Sequence, residues 1–84
     1  MSTHFNLGIL LFGIGEYESA RESFSVAVSL APNDYQAHLA LAHSNRKLGV
    51  INETILEYNH VFRLHPNHPV AKRELEEIQP DNAN

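Results

Sequence analysis

The feature that most constrains this chain is an internal period. Displacing the sequence against itself by 34 residues superposes His4 on His38, Leu7 on Leu41, Gly15 on Gly49, Leu30 on Leu64, Pro32 on Pro66 and Asn33 on Asn67 as identities. The same displacement pairs residues of similar size or polarity: Phe5 with Leu39, Gly8 with Ala42, Tyr17 with Ile51, Ala20 with Thr54, Phe24 with Tyr58 and Ala27 with Val61. A fixed period of this length means stacked copies of one supersecondary unit, each burying its apolar face against the next. The 84 residues hold two such units and a remainder.

Hydrophobic spacing within each unit is helical. Ser2–Phe12 and Tyr35–Lys47 carry apolar or small residues three and four apart and each runs into a glycine, the residue that helix C-termini prefer. Glu18–Leu30 places Ala20, Phe24, Ala27, Val28 and Leu30 at helical spacing, and Asn52–Leu64 does the same with Ile55, Tyr58, Val61, Phe62 and Leu64. Pro32 and Pro66 end the second helix of each unit, because proline cannot continue the hydrogen-bond ladder. Asp34 and His68 stand where the next helix begins, with Asp34 the better capping residue by type. Pro69 suits the first turn of a fifth helix, which runs through Leu75 and Ile78 until Pro80 stops it. Small residues at Gly8, Ala20 and Ala42 should let helices approach closely while Phe24 and Tyr58 fill the space between units.

The first 34 residues resemble a tetratricopeptide repeat through Leu7, Gly8, Gly15, Tyr17, Ala20, Phe24, Ala27 and Pro32, all in that family's register. The second unit departs from the pattern with Ala42 for the early glycine and Thr54 for the small alanine, and the third keeps only Leu75. The resemblance implies an all-α fold: a right-handed superhelix of two helix-turn-helix repeats, 1–34 and 35–68, closed by a capping helix over 69–79. Lys72, Arg73, Glu74, Glu76 and Glu77 suit that helix to the polar lid a solenoid needs, and residues 80–84 are expected to be a disordered tail.

The resemblance also implies a function. Tetratricopeptide proteins use the first helix of each repeat to line a concave groove that holds an extended peptide or a partner's helix. Here that groove would be lined by Phe5, Ile9 and Phe12, then by Gln36, Leu39, His43, Arg46 and Lys47, so half of it is apolar and half cationic. Some family members grip a C-terminal carboxylate with lysines, asparagines and an arginine. The matching positions are Phe5, Ile9, Ala40, Val70 and Glu74, none of which supplies that donor. The expected partner is therefore another protein or peptide, apolar with an acidic group near Arg46 and Lys47.

The first helix carries more apolar residues than one neighbour can cover. Leu7, Leu10, Leu11 and Ile14 are the excess, to be covered by a preceding repeat, a second copy of the chain or a ligand. Self-association through this helix, with helix exchange between copies as one route, is the alternative reading. Phe5, Ile9 and Phe12 could equally be plain core.

Other chemistries find little support. Six Lys and Arg against ten Asp and Glu, with no basic stripe, argue against nucleic acid. No cysteine is present for a disulfide, thiolate site or nucleophile. Gly13-Ile14-Gly15 lacks the third glycine of a dinucleotide fingerprint. Phe5–Ile14 is too short to span a bilayer, and Met1–His4 lacks the basic residues of a secretion signal, so a mature cytoplasmic chain, or an excised piece of a larger protein, is expected. His60, His65 and His68 are the candidate metal ligands, but Pro66 breaks their spacing and no fourth ligand is evident. His38 and His43 are expected as solvent-facing or groove-facing polar residues. No enzyme activity, metal or cofactor is expected.

Overall fold

The computed structural model describes residues 3–78 as five helices joined by short turns: α1 (Thr3–Gly13), α2 (Tyr17–Leu30), α3 (Tyr35–Leu48), α4 (Ile51–Leu64) and α5 (Pro69–Ile78). Among the described residues there is no strand. All five expected helices are present, with ends displaced by one residue where they differ. The expectations for Ser2, Gln79 and the 80–84 tail lie outside the described residues.

The period seen in the sequence is a period in backbone hydrogen bonds. At the end of α1, Glu16 N–H donates to the Leu11 carbonyl at 2.9 Å and Gly15 N–H to that of Phe12 at 3.0 Å. At the end of α3, Val50 N–H donates to Asn45 and Gly49 N–H to Arg46, both at 3.1 Å. This double closure needs a residue in the left-handed region, which glycine enters without a Cβ penalty. Gly15 and Gly49 sit there with φ of 86° and 80°. α2 and α4 also end alike, on bonds from Ala31 to Ala27 and from His65 to Val61, immediately before Pro32 and Pro66. Both expected caps form. The Asp34 carboxylate accepts from Gln36 N–H at 3.0 Å, and His68 Nδ1 accepts from Ala71 N–H at 3.2 Å.

Neighbouring helices pack in chain order, and α1 also touches α3. In the first core cluster Phe24 is buried beside Ala20 and Leu41, with Phe5, Leu11, Phe12 and Val28 against it. Gly8 makes this possible, since a Cβ there would lie 2.5 Å from Phe24 Cε1. The second cluster buries Ala42, Tyr58, Val61 and Ala71, with Tyr35, Leu39, Phe62, Leu75 and Ile78 packed on it. Thr54 is fully buried in the place that Ala20 fills in the first unit. Its hydroxyl donates to the Val50 carbonyl at 2.7 Å, so no polar atom is stranded.

His38 differs from expectation: it is buried, not solvent-facing or groove-facing. Its Nδ1 lies 2.7 Å from Glu57 Oε1 and its Nε2 2.8 Å from the Pro32 carbonyl oxygen, and His60 stacks on the ring at 4.9 Å. Burial is tolerable because each ring nitrogen lies within hydrogen-bond distance of an oxygen.

Candidate functional site

The odd-numbered helices enclose a groove. Helical spacing puts Ile9 and Phe12 on one face of α1, and Ala40, His43 and Lys47 on one face of α3. Two adjoining cavities occupy the space between. The smaller, about 60 Å³, is lined by Ile9, Phe12, Phe24, Ala40 and His43 and is almost wholly apolar. The larger, about 530 Å³, is lined by Phe12, His43, Arg46, Lys47 and Glu74. Phe12 and His43 belong to both, so an apolar pocket opens directly beside a charged one.

The cations are not equivalent. Lys47 is exposed, and its Nζ lies 5.8 Å from the centre of the Tyr17 ring, which itself meets Phe12 edge-on at 5.0 Å. Arg46 Nη2 donates to Glu77 Oε1 at 3.0 Å, and this bond, working against partial burial, raises the affinity of the guanidinium for its proton. His43 Nε2 lies 2.6 Å from Glu74 Oε1, which also accepts from the Tyr58 hydroxyl at 2.8 Å. Burial pushes the Glu74 carboxyl upward. The bonds from Tyr58 and His43 outweigh it and hold Glu74 below its ordinary range. Burial and the neighbouring carboxylate together push the Tyr58 phenol well up, so it stays protonated as the donor. Glu74 therefore ties α5 to α3 and α4 and forms one wall of the groove.

Of the residues singled out from sequence, Ile9, Phe12, His43, Arg46 and Lys47 come together at the groove. Phe5 is half-buried, its ring 5.7 Å from that of Phe24, and Leu39 packs on the second core cluster. Gln36 is exposed in the first turn of α3. Leu7, Leu10 and Ile14 are 44%, 64% and 67% exposed, whereas Leu11 packs on the first cluster. The three candidate metal ligands do not converge. His60 stacks on His38, whereas His65 and His68 meet each other with ring centres 5.2 Å apart and both contact Tyr35 at 4.8 and 5.4 Å, and His68 caps α5. Among the described residues no group of three or more His, Cys, Asp or Glu could hold a metal ion.

Sequence reasoning missed the parts played by Tyr17, Glu74 and Glu77. Glu74 and Glu77 read as a solvated lid, yet three-residue spacing on α5 puts both toward α3. Opposite charge on Arg46 and Glu77 was the available signal.

Residues 2–34 match the tetratricopeptide repeat family model. No curated protein sequence matches the chain. Among solved structures, the chain is similar to the first tetratricopeptide domain of Spaghetti (RPAP3) bound to the HSP90 peptide SRMEEVD, with a TM-score of 0.88 and 23% identity. That likeness covers 96% of this chain and 64% of the other, so the chain spans less than two thirds of its structural neighbour. No helix among the described residues is long and apolar enough to cross a membrane. Residues 2–34 thus match the tetratricopeptide repeat model, and the chain carries the tetratricopeptide fold.

Proposed function

We propose that this chain is a protein-interaction module that holds a partner's peptide or helix in the groove across α1, α3 and α5, with no catalysis of its own. One observation carries the reading: an apolar pocket lined by Ile9, Phe12 and Ala40 adjoins a pocket containing the exposed ammonium of Lys47. A bulky apolar side chain fills the first, and an aspartate or glutamate beside it meets Lys47 and competes with Glu77 for Arg46. The repeats over 1–34 and 35–68, with 69–79 as the closing helix, form the rigid frame, and the setting is cytoplasmic. The neighbour's complex with an acidic peptide supports a peptide partner in kind. Phe5, Ile9, Ala40, Val70 and Glu74 stand at the clamp positions without its donors, so an internal acidic-apolar segment suits this groove better than a C-terminal carboxylate.

Selection of displayed random peptides tests this. The intact chain should enrich sequences pairing a large apolar residue with Asp or Glu. Lys47→Glu should lose the acidic preference and Ile9→Ser the apolar one. No enrichment, or a consensus indifferent to both changes, would refute the reading.

A second reading, self-association through α1, is favoured by the exposure of Leu7, Leu10 and Ile14. The equivalent residues of α3 are Leu41, Ser44 and Leu48, of which Leu41 and Ser44 are buried and Leu48 half-buried. A second copy would give α1 the cover that α3 already has. Sedimentation should then show an oligomer that Leu10→Ser with Ile14→Ser converts to monomer, and a monomer at high concentration would exclude it.

A further inference from the structure

A second cleft, about 330 Å³, lies between α2, α3 and α4 and shares no lining residue with the groove. Leu41 and Asn45, 7% and 4% exposed, form its floor. Arg21 and Ser25 line it from α2, and Glu53 and Glu57 from α4. Asn45 Oδ1 is buried and has no hydrogen-bond partner. A native interior seldom leaves such an atom unpaired without a reason.

The repeat provides an internal reference. Thirty-four residues earlier, Asn45, Glu53 and Glu57 correspond to Leu11, Ser19 and Ser23. Leu11 packs on the first core cluster, so an apolar residue suits that backbone position. The second unit has instead an amide on the floor and two carboxylates above it, one helical turn apart on α4. The cation in the wall makes no ion pair with either: Arg21 Nη2 pairs with Glu18 of its own helix at 3.5 Å. Glu57 is held in place, its Oε1 bonded to the buried His38, while Glu53 is exposed at the rim.

We propose that this cleft binds an arginine side chain of a partner protein, at a site separate from the peptide groove. A guanidinium offers five N–H donors in a planar fork, which suits two carboxylates set apart along one wall better than a compact, strongly hydrated ammonium does. Asn45 on the floor brings an acceptor oxygen that has no partner among the described residues. The apolar floor at Leu41 receives the methylene stem.

The test is a two-dimensional NMR titration of the whole chain with N-acetyl-arginine amide, using the neutral isostere N-acetyl-citrulline amide as control. The arginine probe should move the Asn45 side-chain amide and the backbone signals of Leu41, Glu53 and Glu57, with millimolar affinity, and citrulline should not. Glu53→Gln should weaken the arginine probe about two- to fivefold, as loss of one exposed ion pair does. Asn45→Leu should abolish the response and raise Tm, since it restores the residue type of the first unit. No saturable shift, equal shifts with citrulline, or an unchanged Kd in Glu53→Gln would overturn the proposal. A lower Tm for Asn45→Leu would overturn it too, because Asn45 would then be a structural residue already satisfied.

Discussion

Phe24 and Tyr58 stand 34 residues apart at equivalent positions, and both are buried against a small residue of the preceding helix, Gly8 for one and Ala42 for the other. Phe24 does its work by shape alone. Tyr58 adds a hydroxyl that reaches Glu74 on α5, where His43 also arrives. The first unit is thus held by apolar fit and begins with a helix much of whose apolar surface is exposed. The second keeps the same backbone plan and adds polar ties to α5 and to the α2–α3 turn. Equivalent positions in a repeat share a backbone demand, and the side chains that differ between them carry what is particular to this chain.

Substitutions at paired positions can break that contrast. Phe24→Ala should be the most damaging, losing about 3–5 kcal/mol in urea unfolding because a full ring leaves the first cluster. Gly8→Ala should cost about 1–3 kcal/mol, since its methyl must displace the Phe24 ring. A neutral result there would mean that the first unit is more loosely fitted than its geometry says. Tyr58→Phe keeps the ring and removes the hydroxyl, so the loss should be nearer about 1 kcal/mol. A loss as large as that of Phe24→Ala would show the polar tie to outweigh the packing.

The smallest effect is one of pH. Glu74 titrates below the ordinary carboxylate range in the folded chain, so its ionised form stabilises the fold. That contribution is complete above the unfolded value of about 4.3 and disappears as pH falls through the lower folded value. Wild type should therefore exceed Glu74→Gln in stability at pH 7, with the gap closing below about pH 4, as followed by thermal melts across pH. A gap that widens on acidification would contradict the assignment of Tyr58 and His43 as donors to a carboxylate.

The fold was readable in the sequence because its determinants are local or periodic. Gly15 and Gly49 end helices, Pro32 and Pro66 forbid their continuation, and the small and large residues recur in register. Ile9 and Phe12, like His43 and Lys47, share a helix face by spacing alone. What could not be read depends on distance and angle between helices. His43–Glu74 and Arg46–Glu77 each join residues 31 apart, outside the 34-residue period, and they form only where α5 comes alongside α3. His38 was misjudged for the same reason, its partners being a glutamate 19 residues on and a backbone carbonyl. Apolar spacing identified Leu11 and Leu39 as helix-face residues, but it does not say which neighbour each one meets.

The central claim is that the groove, rather than the outer face of α1, receives the partner. Methyl-resolved NMR of the chain titrated with a display-selected peptide tests it most directly. Signals of Ile9 and Ala40 should shift with those of Leu7, Leu10 and Ile14 unmoved; shifts confined to Leu7, Leu10 and Ile14 would contradict binding in the groove.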